Sequence, residues 1–119
     1  MTATVMAALA AHGLAELEPA ALAMIHSAIE MQGWHALALL ACGLWVPRGG
    51  RLADCAGAAI AAGIVLFCGA VYALAFAGVR VPIAAPIGGT LLILGWLLLG
   101  ASAVLAVRHR AENDHAANR

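Results

Sequence analysis

Three stretches of this chain are apolar for long enough to be read as helices that cross a bilayer. Cys55 to Val79 runs for 25 residues without a charge, and Ile87 to Val107 for 21. About 20 such residues span a hydrocarbon core about 30 Å thick, because a helix rises about 1.5 Å per residue. Ala20 to Val46 is as long, but it carries His26, Ser27, Glu30, Gln32 and His35. Met1 to Ala11 is apolar and too short to cross fully. A half-span, a helix carried on through His12 to Leu17, and a span cut short by a wrongly assigned start all fit it. The pattern predicts an all-α transmembrane helical bundle in one domain over 1–119. It has three spans plus a short N-terminal helix, making a four-helix bundle.

Proline and glycine set the expected boundaries. Pro19 stands where the first long helix should begin, and Pro86 just before the last; a first helical turn tolerates proline because that N–H has no helical partner. Pro47-Arg48-Gly49-Gly50-Arg51 reads as a tight turn, and Val81 to Pro86 as a loop. The polar tail, Arg108 to Arg119, is expected to fray.

Composition places these helices in lipid. Of 119 residues, 65% are hydrophobic and 10% charged. A soluble domain carries about 25% charged residues to maintain a solvated shell. The lipid bilayer is therefore the first expected partner. Net charge is zero, with six arginines and no lysine. No basic tract is large enough to hold nucleic acid. Arg48, Arg51, Arg108, Arg110 and Arg119 fall on one side of the expected bundle. Arg80 falls on the other, with Glu16 and Glu18. The positive-inside rule then puts the 47–51 turn and the C-terminus in the cytoplasm. A first segment that crossed would bring the N-terminus there too. The N-terminus lacks the positive region of a cleavable signal peptide.

Small residues mark expected contacts. Gly88, Gly95 and Ser102 recur every seven residues, and Gly69, Ala73 and Ala77 every four. Such stripes let helix backbones approach closely in lipid, where packing drives association. They do not distinguish contacts within one chain from contacts between copies, and in an Ala- and Gly-rich chain some of this spacing arises by chance.

Candidate chemistry centres on Glu30 and His35, both deep in the Ala20–Val46 span. A charge there costs about 2.5–3.5 kcal/mol on insertion scales, so both are expected to face the bundle interior, with Glu30 protonated or hydrogen-bonded. His26 and Glu30, four apart, share a helix face; His35, nine residues from His26, is nearly opposite. Matching depths along the helices brings Tyr72 and Thr90 to the level of Glu30, and His12 to the outer end of the first segment. His12, His26, Glu30, His35, Tyr72 and Thr90 are thus the candidate intramembrane polar residues. A proton or ion relay, a metal or haem site, and a quinone or lipid-headgroup pocket are the functional readings. Interhelical hydrogen bonding is the plainer one, and polar residues in spans commonly serve in that way. The ligand types lack a compact metal motif, and a two-histidine haem needs axial ligands from facing positions. No cofactor, metal or catalytic residue is expected.

Trp45 fits an interfacial belt at the arginine-rich end. Trp34 and Trp96 lie near mid-bilayer, where their N–H groups favour a partner, and the pattern allows them to face each other. Pro86-Ile87-Gly88-Gly89-Thr90 lacks the spacing of a phosphate-binding loop, and close helix packing accounts for it better than a ligand at a helix N-terminus. Cys42, Cys55 and Cys68 have no CxxC spacing and read as small buried hydrophobes.

Taken together, Ala11-His12-Gly13-Leu14, His35-Ala36-Leu37-Ala38-Leu39-Leu40, Gly63-Ile64-Val65-Leu66-Phe67-Cys68-Gly69 with Tyr72, Pro86-Ile87-Gly88-Gly89 and Gly95-Trp96 resemble the YgdD-like small inner-membrane proteins. This is a domain-of-unknown-function family with eukaryotic transmembrane relatives. The resemblance covers roughly Ala11 to Val107. It implies a four-helix protein of the bacterial inner membrane and carries over no reaction. The family's first helix is longer, and a neutral polar residue is more usual at Glu30. The expected role is non-enzymatic: a structural or accessory component of a larger membrane assembly, such as a respiratory or transport complex. Its partners would be other membrane subunits or a homo-oligomer. The alternatives are a small proton-coupled transporter using Glu30, and a haem-, metal- or quinone-binding membrane protein.

Overall fold

Pro19 begins the first long helix, as a residue that lacks an amide hydrogen can at that position. The computed structural model describes residues 4–8 and 18–118. Helix α1 covers Pro19–Ala77, 59 residues, and helix α2 covers Ala84–Ala117, 34 residues. Residues 4–8 are helical, and there is no strand among the described residues. His12 and most of the segment that sequence reading left open lie outside them.

α1 is one helix only in its hydrogen-bond bookkeeping. At Gly50 the backbone turns to φ 57°, ψ −147°, a region that is essentially glycine's alone. Pro47, three residues earlier, has already removed one helical donor. The helix breaks there into two rods, 19–49 and 51–77, which fold back on each other. Cys42 lies beside Gly57, whose Cβ would sit 3.5 Å from the cysteine Cβ. Further along, the Cys68 thiol reaches the Ala28 carbonyl at 3.5 Å. Numbers rise on one rod as they fall on the other, so the rods are antiparallel. The five-residue turn expected at 47–51 is reduced to a single residue.

The second rod ends at Gly78, which adopts the left-handed conformation (φ 64°). Its N–H and that of Val79 close onto the carbonyls of Leu74 and Ala73, as helix C-termini commonly do on glycine. Helix resumes at Ala84, so Pro86 falls inside the first turn of α2 and not in a loop. α2 then continues past Val107: the tail expected to fray is helical to Ala117. An exposed His109–Glu112 contact of 3.7 Å lies along it.

The core lies among the three rods, built from Ala38, Cys42, Ala56, Ile60 and Leu92. α2 runs antiparallel to the second rod and parallel to the first. Arg48, Arg51, Arg108 and Arg110 consequently gather at one end, and Arg80 stands at the other. Most apolar surface faces outward. Trp34 is 70% exposed, Leu44 69% and Val65 71%. Only 22% and 17% of the most apolar windows of α1 and α2 are buried. Two helices are thus long and apolar enough to cross a membrane, and their apolar faces are not a soluble core. Water does not tolerate contiguous apolar surface on that scale, whereas lipid does. The protein is a helical membrane protein.

The heptad of small residues on α2 is an interface. Gly88, Gly95 and Ser102 are all buried. A Cβ on Gly88 would lie 2.5 Å from the Phe67 amide nitrogen and 2.9 Å from the Gly63 carbonyl oxygen. One on Gly95 would lie 2.5 Å from Cγ1 of Ile60. The matching surface on the second rod is Ala56, Ile60 and Gly63, and not Gly69, Ala73 and Ala77. Gly69 is exposed, with nothing within 4 Å of a built Cβ, and Ala77 is exposed as well. The reason is phase: Gly69 follows buried Cys68 by about 100° around the helix, which turns it off the face that α2 covers.

Candidate functional site

Three side-chain pairs bridge the rods, and each follows from the phase of the first rod. Ile25, Ala28, His35, Ala38 and Cys42 are its buried residues, a run of steps of three, seven, three and four that keeps one face inward. His35 sits on that face. Its Nδ1 lies 2.8 Å from the Met31 carbonyl oxygen. A carbonyl only accepts, so Nδ1 carries the hydrogen and Nε2 is left as an acceptor. Trp96 supplies the donor: its Nε1–H points at His35 Nε2 at 3.4 Å. The rings meet edge to face, 6.3 Å between centroids and 65° between planes. Both hydrogen bonds together define one neutral tautomer of His35.

Further toward the arginine-rich end, the Trp45 Nε1–H donates to Ser102 Oγ at 3.1 Å. Ser102 in turn donates to the Leu99 carbonyl at 2.7 Å. Trp45 is therefore committed to α2 and is part-exposed near the arginine-rich end. Between the two rods of α1, the Tyr72 hydroxyl donates to Gln32 Oε1 at 3.2 Å. Among the described residues no buried side-chain nitrogen or oxygen lacks a partner. The pairs join different rods, and no hydrogen-bonded chain connects them. Their chemistry is that of neutral donors and acceptors holding helices together, as polar groups in membrane spans do at about 0.6 kcal/mol each.

Of the six residues singled out from sequence, His12 lies outside the described residues, and the other five separate. His35 and Tyr72 each enter an interhelical pair. Thr90 bonds back to the Pro86 carbonyl of its own helix at 2.9 Å and is exposed. His26 and Glu30 lie on the outward surface of the described residues, as does Ser27. The inward orientation expected for Glu30 is thus not seen, whereas His26 and His35 do stand on opposite faces. One haem or metal in a single copy cannot be held by both. Trp34, far from facing Trp96, points outward. Within the 86–90 string Gly88 is filled by the neighbouring backbone, whereas a Cβ on Gly89 would meet nothing within 4 Å. Cys42 and Cys68 are buried and free, as their apolar settings implied, but Cys55 is exposed.

Sequence reading named Gln32 without giving it a role, expected a partner for the Trp96 N–H without identifying His35, and gave the Ser102 hydroxyl none. A signal for the first existed: Gln32 lies three residues before His35 and shares its face. Ser102 was read for its size, and its hydroxyl proves equally important.

The fold and these pairs can be set beside known proteins. A family model described as a protein of unknown function (DUF423) matches residues 6–89. The chain belongs to this family. The match takes in both rods of α1 and the first turn of α2. Relatives lie in bacteria. A UPF0382 membrane protein of Haemophilus influenzae is 42% identical over 96 residues, covering 79% of this chain and 77% of that one. One of Staphylococcus epidermidis is 39% identical over 101 residues, covering 83% of each. One of Staphylococcus saprophyticus is 38% identical over 101 residues, covering 83% and 84%. No solved structure matches the chain. The resemblance to a membrane family of unknown function therefore holds.

Proposed function

We propose that this protein is a non-catalytic, multi-pass component of the bacterial inner membrane that docks against other membrane subunits or copies of itself. The two rods of α1 and helix α2 are its three crossings. The rods are about 46 and 40 Å long at 1.5 Å per residue, each more than a bilayer's hydrocarbon core. An N-terminal helix that includes residues 4–8 is the fourth helix. The arginine-rich end and the C-terminus face the cytoplasm by the positive-inside rule.

One observation carries the docking role. Among the described residues the buried polar side chains all have partners, yet His26 and Glu30 lie on the outward surface. Glu30 lies four residues from the midpoint of the first rod, about 6 Å along its axis. A carboxyl group facing lipid there is costly and is met by a partner in known membrane proteins. A respiratory or transport assembly provides such partners in the membrane plane. A proton-coupled transporter built on Glu30 needs a polar route through the bundle, and the interior pairs are closed on themselves.

Mild extraction from native membranes tests this. Blue-native electrophoresis and mass spectrometry are expected to show a complex larger than the monomer, with a stoichiometric partner or second copy. Glu30→Leu should weaken that complex while the protein still inserts. A monomer that keeps no partner under the mildest extraction contradicts the reading.

A further inference from the structure

The seam between the first rod and α2 is not closed along its whole length. Two cavities lie on it, and both are walled by Trp45. The first, about 330 Å³, is lined by Ala41, Trp45, Trp96, Leu99, Gly100 and Ala103. The second, about 380 Å³, is lined chiefly by Trp45, Arg48, His109 and Arg110, with Asn113 at its far end. Most of their lining residues on α2 fall on two adjacent rows, 96, 100, 103, 107, 110 and 99, 103, 106, 110, 113, each in steps of three and four, with His109 at the edge. Those on the first rod, 41, 45 and 48, step in the same way. Such steps stay on one helix face. The two cavities therefore adjoin end to end along this seam, on either side of the Trp45 side chain, apolar at the Trp96 end and basic at the other.

The dimensions of this groove fit the membrane. From Trp96 to Arg110 it runs about 21 Å at 1.5 Å per residue. One leaflet's share of the hydrocarbon core is about 15 Å, so the length covers an acyl chain plus a headgroup. The charges fit as well. Among the described residues the one ion pair is His109–Glu112, so no carboxylate engages Arg48 or Arg110. Glu112 is turned to His109 at 3.7 Å, and Asp114, four residues from Arg110 on the same helix face, makes no ion pair with it. Guanidinium groups match phosphate oxygens in shape and charge.

We infer that this groove holds an anionic glycerophospholipid, with its phosphate at Arg48 and Arg110 and one acyl chain laid along Trp45, Gly100 and Trp96. The lipid fills the space that the Trp45–Ser102 and His35–Trp96 pairs hold open between the helices. Glycine at 100 keeps the groove floor clear, since a Cβ there meets nothing within 4 Å.

Tryptophan quenching in vesicles reads the site directly, because Trp45 and Trp96 line it. Trp34 is on the outer surface and is removed by Trp34→Phe in all samples. The full chain is reconstituted into phosphatidylcholine vesicles containing a minor fraction of chain-brominated phosphatidylglycerol or, separately, chain-brominated phosphatidylcholine. Phosphatidylglycerol is expected to quench with an apparent affinity on the order of tenfold higher, given two basic residues near its phosphate. The double variant Arg48→Gln/Arg110→Gln should bring the two lipids to parity. Gly100→Leu, which fills the groove without touching the core, should reduce quenching by both. Equal quenching of the parent protein by the two lipids overturns the proposal. So does a preference that survives loss of both arginines. Quenching by both lipids that is undiminished in Gly100→Leu places the lipid elsewhere and overturns the groove assignment. Far-ultraviolet circular dichroism confirms that each variant remains helical.

Discussion

The two seams that α2 makes with α1 are built on opposite principles. Against the second rod, glycine meets backbone: a Cβ on Gly88 would intrude on the Phe67 amide, and one on Gly63 would lie 2.9 Å from the Gly88 carbonyl oxygen. Against the first rod, long polar side chains reach across, His35 to Trp96 and Trp45 to Ser102. The first seam is as tight as two helices can be, and the second stands open enough for a groove. In lipid no hydrophobic driving force separates the two designs, because the surroundings are as apolar as the side chains. Close contact supplies association at one seam, and directional hydrogen bonds fix spacing and register at the other.

The tight seam should be much the more fragile. Gly88→Leu drives a branched side chain into the second rod's backbone, which cannot give way as a side chain would. A loss of about 3 kcal/mol or more is expected from overpacking, measured by reversible unfolding in mixed SDS micelles. Gly88→Ala should also cost more than Gly95→Ala, because the nearest obstacle at Gly95 is the side chain of Ile60. Next comes the break that allows the rods to pair. Gly50→Ala forces an L-residue into a glycine-only backbone region and should cost about 1–3 kcal/mol in the same assay.

The open seam should respond more mildly. A double-mutant cycle on Trp45→Phe and Ser102→Ala is expected to give a coupling of about 0.6 kcal/mol. His35→Leu with Trp96→Phe should couple no more strongly, since that hydrogen bond is the longer one at 3.4 Å. The smallest effect belongs to Gly69→Ala. Its position is exposed and open, so stability should shift by less than about 0.5 kcal/mol. A large loss there would mean that the stripe Gly69, Ala73 and Ala77 packs after all.

These differences show what the residue pattern can carry. A seven-residue recurrence advances only about 20° around a helix, so Gly88, Gly95 and Ser102 had to share a face, and they do. Recurrence by four is weaker evidence in a rod where alanine or glycine occupies nearly every other place. There the deciding residue is Ile60, whose bulk fills the space that Gly95 leaves. The opposition of His26 and His35 was legible from their nine-residue separation. The orientation of Glu30 was not, because the cost of a charge in lipid was read as a reason for burial. Helix phase decides otherwise: Glu30 stands five residues from both Ile25 and His35, about 140° off the buried face. The break at Gly50 was legible as a turn, but not its reduction to one residue, which depends on that glycine's backbone angles. The helical tail was hidden because nothing apolar marks it.

Whether Glu30 meets a partner is the question on which the proposed role stands or falls. Photo-crosslinking in native membranes answers it, with p-benzoylphenylalanine placed at Glu30 in one sample and at outward-facing Val65 in another. Position 30 is expected to yield a discrete adduct with another protein chain or a second copy, while position 65 yields only lipid. An adduct at 30 confined to the protein's own chain, or no protein adduct at all, would contradict the docking role.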